Sequence, residues 1–267
     1  MVPHVPTLGL PEHTPDFQLT LVEGARALGR ALRALKPDLF VVNSAHWICT
    51  FGWYATSQAL HEGVCVADEA PDLIPGIAYR RKGDAEFASA LVDAWQAQGI
   101  PGGRNETPHY AWDYGSLVPL LYLDPDAEIP VVQIPTVIMA DHAECMQVGH
   151  AVHATAKRLG RRVVFVASSA FTHALVRGRH FKPAPEREAL DQRFIDQLKR
   201  GAVNEALAGF PEYSRAVVAE MNGRPLATLL GALEALDESG AKLAGEQFGG
   251  YAQSSGSGNA NVVVWSQ

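Results

Sequence analysis

The chain has 267 residues, 22 Lys and Arg against 29 Asp and Glu, and a formal charge of -7. An acidic balance without a long basic run excludes a sequence-wide attraction for phosphate backbones, so nucleic acid is not an expected partner. The longest apolar runs, such as Leu39 to Val42 and Val163 to Ala167, fall far below the roughly 18 residues of a membrane-spanning helix, so no membrane partner is expected.

Along the chain, Leu21, Ala25, Leu28, Leu32 and Leu35 recur three or four residues apart with Arg26, Arg30 and Arg33 between them. That spacing predicts a helix over Leu19 to Leu35, ended by Pro37. The run Asp38 to Trp47 then turns β-branched and aromatic and passes into polar residues, which predicts a buried strand whose end carries His46. The same grammar predicts a helix over Ala85 to Gln98, a strand over Ile129 to Ile134, a helix over Ala143 to Leu159 and a strand over Arg162 to Ser168. Val163 to Ala167 is continuously apolar, as strands covered on both faces are. Further helices are expected over Glu186 to Gly201, Val203 to Leu207 and Arg224 to Leu236, and a last strand over Asn261 to Trp265. The glycine-rich stretch Gly245 to Gly258 reads as a functional loop. Helices alternating with buried strands give the expected class: α/β, one domain over residues 1–267, a central mostly parallel or mixed sheet with helices on both faces. Three scattered cysteines (Cys49, Cys65, Cys145) lack metal or disulfide spacing, and no basic-then-apolar leader is visible, so a reduced, cytoplasmic protein is expected.

Ten histidines are many for this length. His142, His150 and His153 share one helical pattern without the glutamate of an HExxH zinc site, and His61 and His180 read as residents of polar loops. Three others fall at or beside strand ends: His4 in Val2-Pro3-His4-Val5-Pro6, His46, and His173 just beyond the Val163 to Val166 strand. Ligands of open α/β sheets bind outside the carboxyl ends of the strands, so three histidines converging there form a candidate site.

Five landmarks carry a resemblance to the class III extradiol ring-cleaving dioxygenases of the LigB-type superfamily. They are His4-Val5-Pro6, Ser44-Ala45-His46-Trp47, Asp113-Tyr114-Gly115-Ser116-Leu117-Val118-Pro119-Leu120, the Ser168 to His173 segment, and Glu246-Gln247-Phe248-Gly249 with the SSGSGNA stretch after it. They occur in the family's order across nearly the whole chain. The resemblance implies an aromatic ring-opening dioxygenase using Fe(II), with His4, His46 and Glu246 as metal ligands, His173 as acid and base, and Tyr114 as a pocket residue donating to substrate or oxygen. Asp237 and Glu238, at a helix end, are the nearby alternatives for the carboxylate. Two histidines and one carboxylate suit Fe(II) and leave about three coordination positions open. Only Met1, Val2 and Pro3 precede His4, where the family usually carries a longer strand, so His4 is expected to be weakly held.

The implied partners are a small aromatic substrate and O2, and the implied assembly is a homo-oligomer, a dimer or tetramer. A 3,4-dihydroxyphenylacetate or protocatechuate-like catechol is the first expectation for the substrate, with a 2-aminophenol as runner-up; Arg80, Arg81, Lys82 and Arg104 are the cations considered for a substrate carboxylate. A non-enzymatic binding protein on the same fold, and a zinc hydrolase using the same histidines, are the rival classes.

Overall fold

The computed structural model describes residues 1–267. Its helices are α1 (Leu19–Ala34), α2 (Ala85–Ala97), α3 (Tyr114–Leu123), α4 (His142–Leu159), α5 (Pro185–Lys199), α6 (Val203–Ala216) and α7 (Arg224–Glu238). The strands are β1 (Leu39–Cys49), β2 (Trp53–Thr56), β3 (Leu60–Cys65), β4 (Ile77–Lys82), β5 (Gly102–Asn105), β6 (Val131–Val137), β7 (Val163–Ser168), β8 (Leu243–Ser254) and β9 (Ser257–Ser266).

The centre is the parallel sheet β6-β1-β7, with Phe40 opposite Val131 on one side and Val164 on the other. Successive strand residues point to opposite faces, and β1 shows this directly. Leu39 and Val41 enter the core built with Leu91 of α2, Val148 of α4 and Leu230 of α7. Phe40 and Val42 enter a second core with Leu21 and Leu28 of α1 and Leu117 of α3. All four are fully buried, each worth about 2 kcal/mol of apolar transfer. The class is therefore α/β with helices on both faces, as the alternation of elements predicts. Around this sheet lie the parallel pair β2-β5 and the antiparallel pairs β3-β4 and β8-β9.

The largest helix contact is α4 on α7, and glycines set its closeness. A Cβ on Gly149 would stand 2.0 Å from the Thr228 carbonyl, and one on Gly231 would stand 2.1 Å from that of Met146. His142, His150 and His153 ride on α4 as expected; His150 pairs with Glu234 of α7 at 2.7 Å.

Three expectations are corrected. The glycine-rich stretch is no loop but most of the β8-β9 hairpin, turning at Ser255-Gly256, both with positive φ, and bulged between Phe248 and Ala252. Glycine obscures strand periodicity, because it contributes no side chain to alternate. His61 lies not in a polar loop but buried in β3, its Nε2 3.2 Å from the Val131 carbonyl. The short helix expected over Val203 to Leu207 runs on to Ala216 and accommodates Pro211 in its interior.

Nor is the N-terminus loose. Val2 bridges Ser168 in parallel, its N–H bonded to the Ala167 carbonyl, and Met1 exchanges two backbone bonds with Val262. These bonds splice residues 1 and 2 between β7 and β9, and they anchor His4 two residues later.

Candidate metal and active site

His4, His46 and Glu220 place one ligand atom each within 4.8 Å of one another. Five segments build this cluster at the carboxyl end of the central sheet. His46 sits where β1 loses register with β6 between Asn43 and Ile48; a bulge of this kind re-aims side chains out of the ladder. His173 follows β7, its N–H bonded to the Val218 carbonyl. Tyr114 opens α3, whose N-cap Asp113 accepts from the Ser116 N–H.

The DYGSLVPL segment explains itself in this setting. Pro119 has no N–H to give the carbonyl four residues back, that of Gly115, so this acceptor is left open inside the helix. The Ser168 hydroxyl donates to it at 2.5 Å. With its only proton spent there, Ser168 Oγ can only accept from His4 Nδ1, 3.0 Å away. His4 is thereby held as the Nδ1–H tautomer, and its Nε2 faces Glu220 Oε1 at 3.3 Å. Gly115 also lets α3 come close, since a Cβ there would lie 2.5 Å from Ser44 Oγ and 3.3 Å from the His46 ring.

His46 is arranged in the same way. Its Nδ1 lies 3.1 Å from a Glu69 carboxylate oxygen, which can only accept. Its Nε2 points inward, receiving the Tyr114 hydroxyl at 2.8 Å and standing 3.8 Å from Glu220 Oε1. Both imidazoles thus offer a lone pair at Nε2, with an outer partner fixing the ring, the usual support of a metal-bound histidine. Glu220 is 3% exposed; its Oε2 accepts from the Ala170 N–H at 2.6 Å, and its Oε1 is left to the three imidazoles, with His173 Nε2 at 3.4 Å.

Charge follows geometry. Burial alone would raise the Glu220 carboxyl, but His4 first, then His173 and His46, outweigh it and hold the group well below the usual carboxylate range. Burial opposes a charge on His4 as well, yet Glu220 reverses the effect and raises it. His46 is pushed down to about 4, by burial and then by its neighbour His4. Burial, then Glu69, raises the Tyr114 hydroxyl far above its ordinary value, so it remains a proton donor.

Of the five residues that sequence reasoning singled out, the fold brings His4, His46, His173 and Tyr114 together. The fold places Glu246 elsewhere. It lies on β8 opposite Val263, exposed, and is not among the clustered ligand atoms; Glu220 stands there instead. Glu220 sits in the short turn between α6 and α7, and the non-glycine residues Val218, Met221 and Asn222 around it all have positive φ. Such strained backbone persists where the surroundings over-determine it, and it clusters at working sites. The sequence signal was weak: an acid just before Asn222-Gly223 looks like any exposed turn acid.

The donor set, two imidazole nitrogens and one carboxylate oxygen with all outer partners in place, fits a divalent metal held on one face. Residues 1–264 match the family described as the catalytic LigB subunit of aromatic ring-opening dioxygenase. The chain belongs to this family. Among relatives of this LigB-family chain, the 3,4-dihydroxyphenylacetate 2,3-dioxygenase of Escherichia coli is 23% identical, covering 87% of this chain and 88% of that protein. The 2-aminophenol 1,6-dioxygenase beta subunit of a Pseudomonas species is 25% identical over 99% of this chain and 92% of that protein. A solved structure of an uncharacterised Escherichia coli K12 protein superposes with a TM-score of 0.66 at 20% identity, covering 91% of each chain, which shows the shared fold. The LigB-family protein is thus an extradiol aromatic ring-opening dioxygenase. No helix in it is long and apolar enough to cross a membrane.

Proposed function

We propose that the protein is an Fe(II)-dependent enzyme that opens a catechol or 2-aminophenol ring with O2 on the extradiol side, giving a ring-opened semialdehyde. The observation that carries this reading is the convergence of His4 Nε2, His46 Nε2 and Glu220 Oε1 beside a third, partly exposed imidazole, His173. His4, His46 and Glu220 would hold the iron, which supplies open coordination positions for the two vicinal ring substituents and O2 and a path for electrons between them.

The remaining work belongs to the side chains. His173 Nε2 faces the cluster while its ring keeps about a third of its surface open, so it can take a proton from a ring hydroxyl and return it when the O–O bond breaks. The Tyr114 hydroxyl donates to the same nitrogen of His46 that a metal would claim, so loading the site releases this proton donor toward substrate or oxygen. Relatives named as the beta and alpha subunits of 2-aminophenol 1,6-dioxygenase support assembly into an oligomer, and a homo-oligomer of dimer or tetramer size in the cytoplasm is part of the proposal.

The test is oxygen consumption by anaerobically Fe(II)-loaded protein against a panel of catechols and 2-aminophenol, with His46→Ala and Glu220→Ala as controls. Uptake accompanied by a yellow ring-opened product, absent in both variants, is the expected result. Tight iron binding with no uptake on any ring substrate overturns the reading.

A further inference from the structure

Glu69, the outer partner of His46, comes from a segment of its own. It belongs to the Ala67 to Ile74 turn, whose ends are buried and closed by the Ala67 N–H to Ile74 carbonyl bond, and whose Leu73 carbonyl is held by His13 Nδ1 at 3.0 Å. The turn is braced from the other side by Asp72, 3.7 Å from Arg179 on the segment that follows His173. Glu69 therefore sits on a fixed support, one carboxylate oxygen 3.1 Å from His46 Nδ1, with its side chain 54% exposed.

The charges around the site are one-sided. The carboxylates nearest the site are those of Glu220, facing His4 and His46, of Glu69, facing His46, and of Asp113, which accepts from the Ser44 hydroxyl beside the cluster. Three of the four expected cations are engaged with other acids: Arg81 is buried against Asp124 at 2.9 Å, Arg80 pairs with Glu62, and Arg104 pairs with Glu106. A divalent ion offsets two of the three carboxylates, and an ionised catechol adds negative charge of its own. A further anionic group on the Glu69 side of the ring would be repelled by that carboxylate, and Arg179, the cation set against the same turn, is already paired with Asp72.

We propose that Glu69 is a specificity-determining residue, selecting ring substrates with neutral or cationic substituents over those with a carboxylate. The inference rests on the ring-cleavage reading above and narrows its substrate class. It also sets this chain apart from its relative named for 3,4-dihydroxyphenylacetate, a carboxylated catechol.

The experiment measures anaerobic binding of 4-methylcatechol, dopamine and 3,4-dihydroxyphenylacetate to the Fe(II)-loaded full chain by optical titration, followed by KM and kcat from oxygen uptake. Binding of the carboxylated probe about tenfold weaker than 4-methylcatechol, with dopamine at least as tight, is expected at low salt. Glu69→Gln keeps an acceptor for His46 Nδ1–H but removes the charge, so it should close most of that gap, mainly in KM. Glu69→Ala removes both and should weaken Fe(II) binding, read by metal competition, more than Glu69→Gln does. Equal or tighter binding of the carboxylated probe by the wild type, or an unchanged ratio in Glu69→Gln, overturns the proposal while leaving ring cleavage intact. If neither these probes nor 2-aminophenol bind or drive oxygen uptake, the ring-cleavage reading itself fails, and this inference with it.

Discussion

Two buried carboxylates grip the same short segment after β7, and they do opposite things. Glu220 accepts the Ala170 N–H, and Asp191 of α5 accepts the Thr172 N–H at 3.2 Å. Asp191 is also met by the hydroxyls of Tyr213 at 2.8 Å and Tyr251 at 2.6 Å. Burial raises the Asp191 carboxyl despite these bonds, whereas the imidazoles around Glu220 reverse the same penalty. The lone pairs of Asp191 are spent on donors that keep their protons, and it serves as a structural clamp. Glu220 reserves Oε1 for three ring nitrogens that can exchange a proton or share a metal. Burial does not make a carboxylate functional; the chemistry of its partners does.

The sharpest break in this comparison is Glu220→Ala. It should abolish stoichiometric iron binding and lower ring cleavage by at least ~10³-fold, since an effect of that size is about 4 kcal/mol of transition-state stabilisation. Glu246→Ala, measured beside it by metal analysis, should retain full iron; loss of iron there would restore Glu246 as the ligand. His173→Gln comes next, with iron content kept and turnover down about 10²- to 10³-fold, the range for a lost general acid and base. Unchanged turnover would remove His173 from the proton-transfer role.

Asp191→Ala should act on stability and not on metal. It orphans two tyrosine hydroxyls and a backbone N–H, a cost of about 3 kcal/mol in denaturant melts, with iron per chain unchanged under native conditions. Iron loss at full stability would show that the clamp belongs to the site.

The effect per pH unit is smaller still. With His46 near 4 in the folded chain against 6.5 for the free side chain, the unfolded chain takes up this proton first as pH falls. Stability of metal-free protein should therefore drop between pH 6.5 and about 4, by at most about 1.4 kcal/mol per pH unit. His4 works the other way, because a raised histidine contributes stability below its free value and loses it as pH rises through its folded one. His46→Gln should flatten the acid limb of thermal melts; superimposable profiles would exclude His46 as the cause.

Much of the scaffold was readable along the chain. Helix α1 begins at the expected Leu19, and β1 and β7 emerge where apolar runs are continuous, because local periodicity and full burial leave the same trace in sequence. Helix α3 was readable only as a motif, since Pro119 argues against helix while in fact freeing the Gly115 carbonyl for Ser168. Strand β8 was hidden by its glycines, and with it the evidence that Glu246 is an exposed strand residue paired to the expected last strand.

By itself the sequence determined the α/β class, the order of its principal elements and the histidines and tyrosine that meet at the sheet's carboxyl end, since these depend on residue type and local spacing. Only the tertiary structure decided that Glu220, and not Glu246, stands beside His4 and His46, and that Ser168 and Glu69 meet the outer nitrogens of the two imidazoles. Those facts depend on contacts across separations such as the 216 positions from His4 to Glu220, which no local pattern encodes.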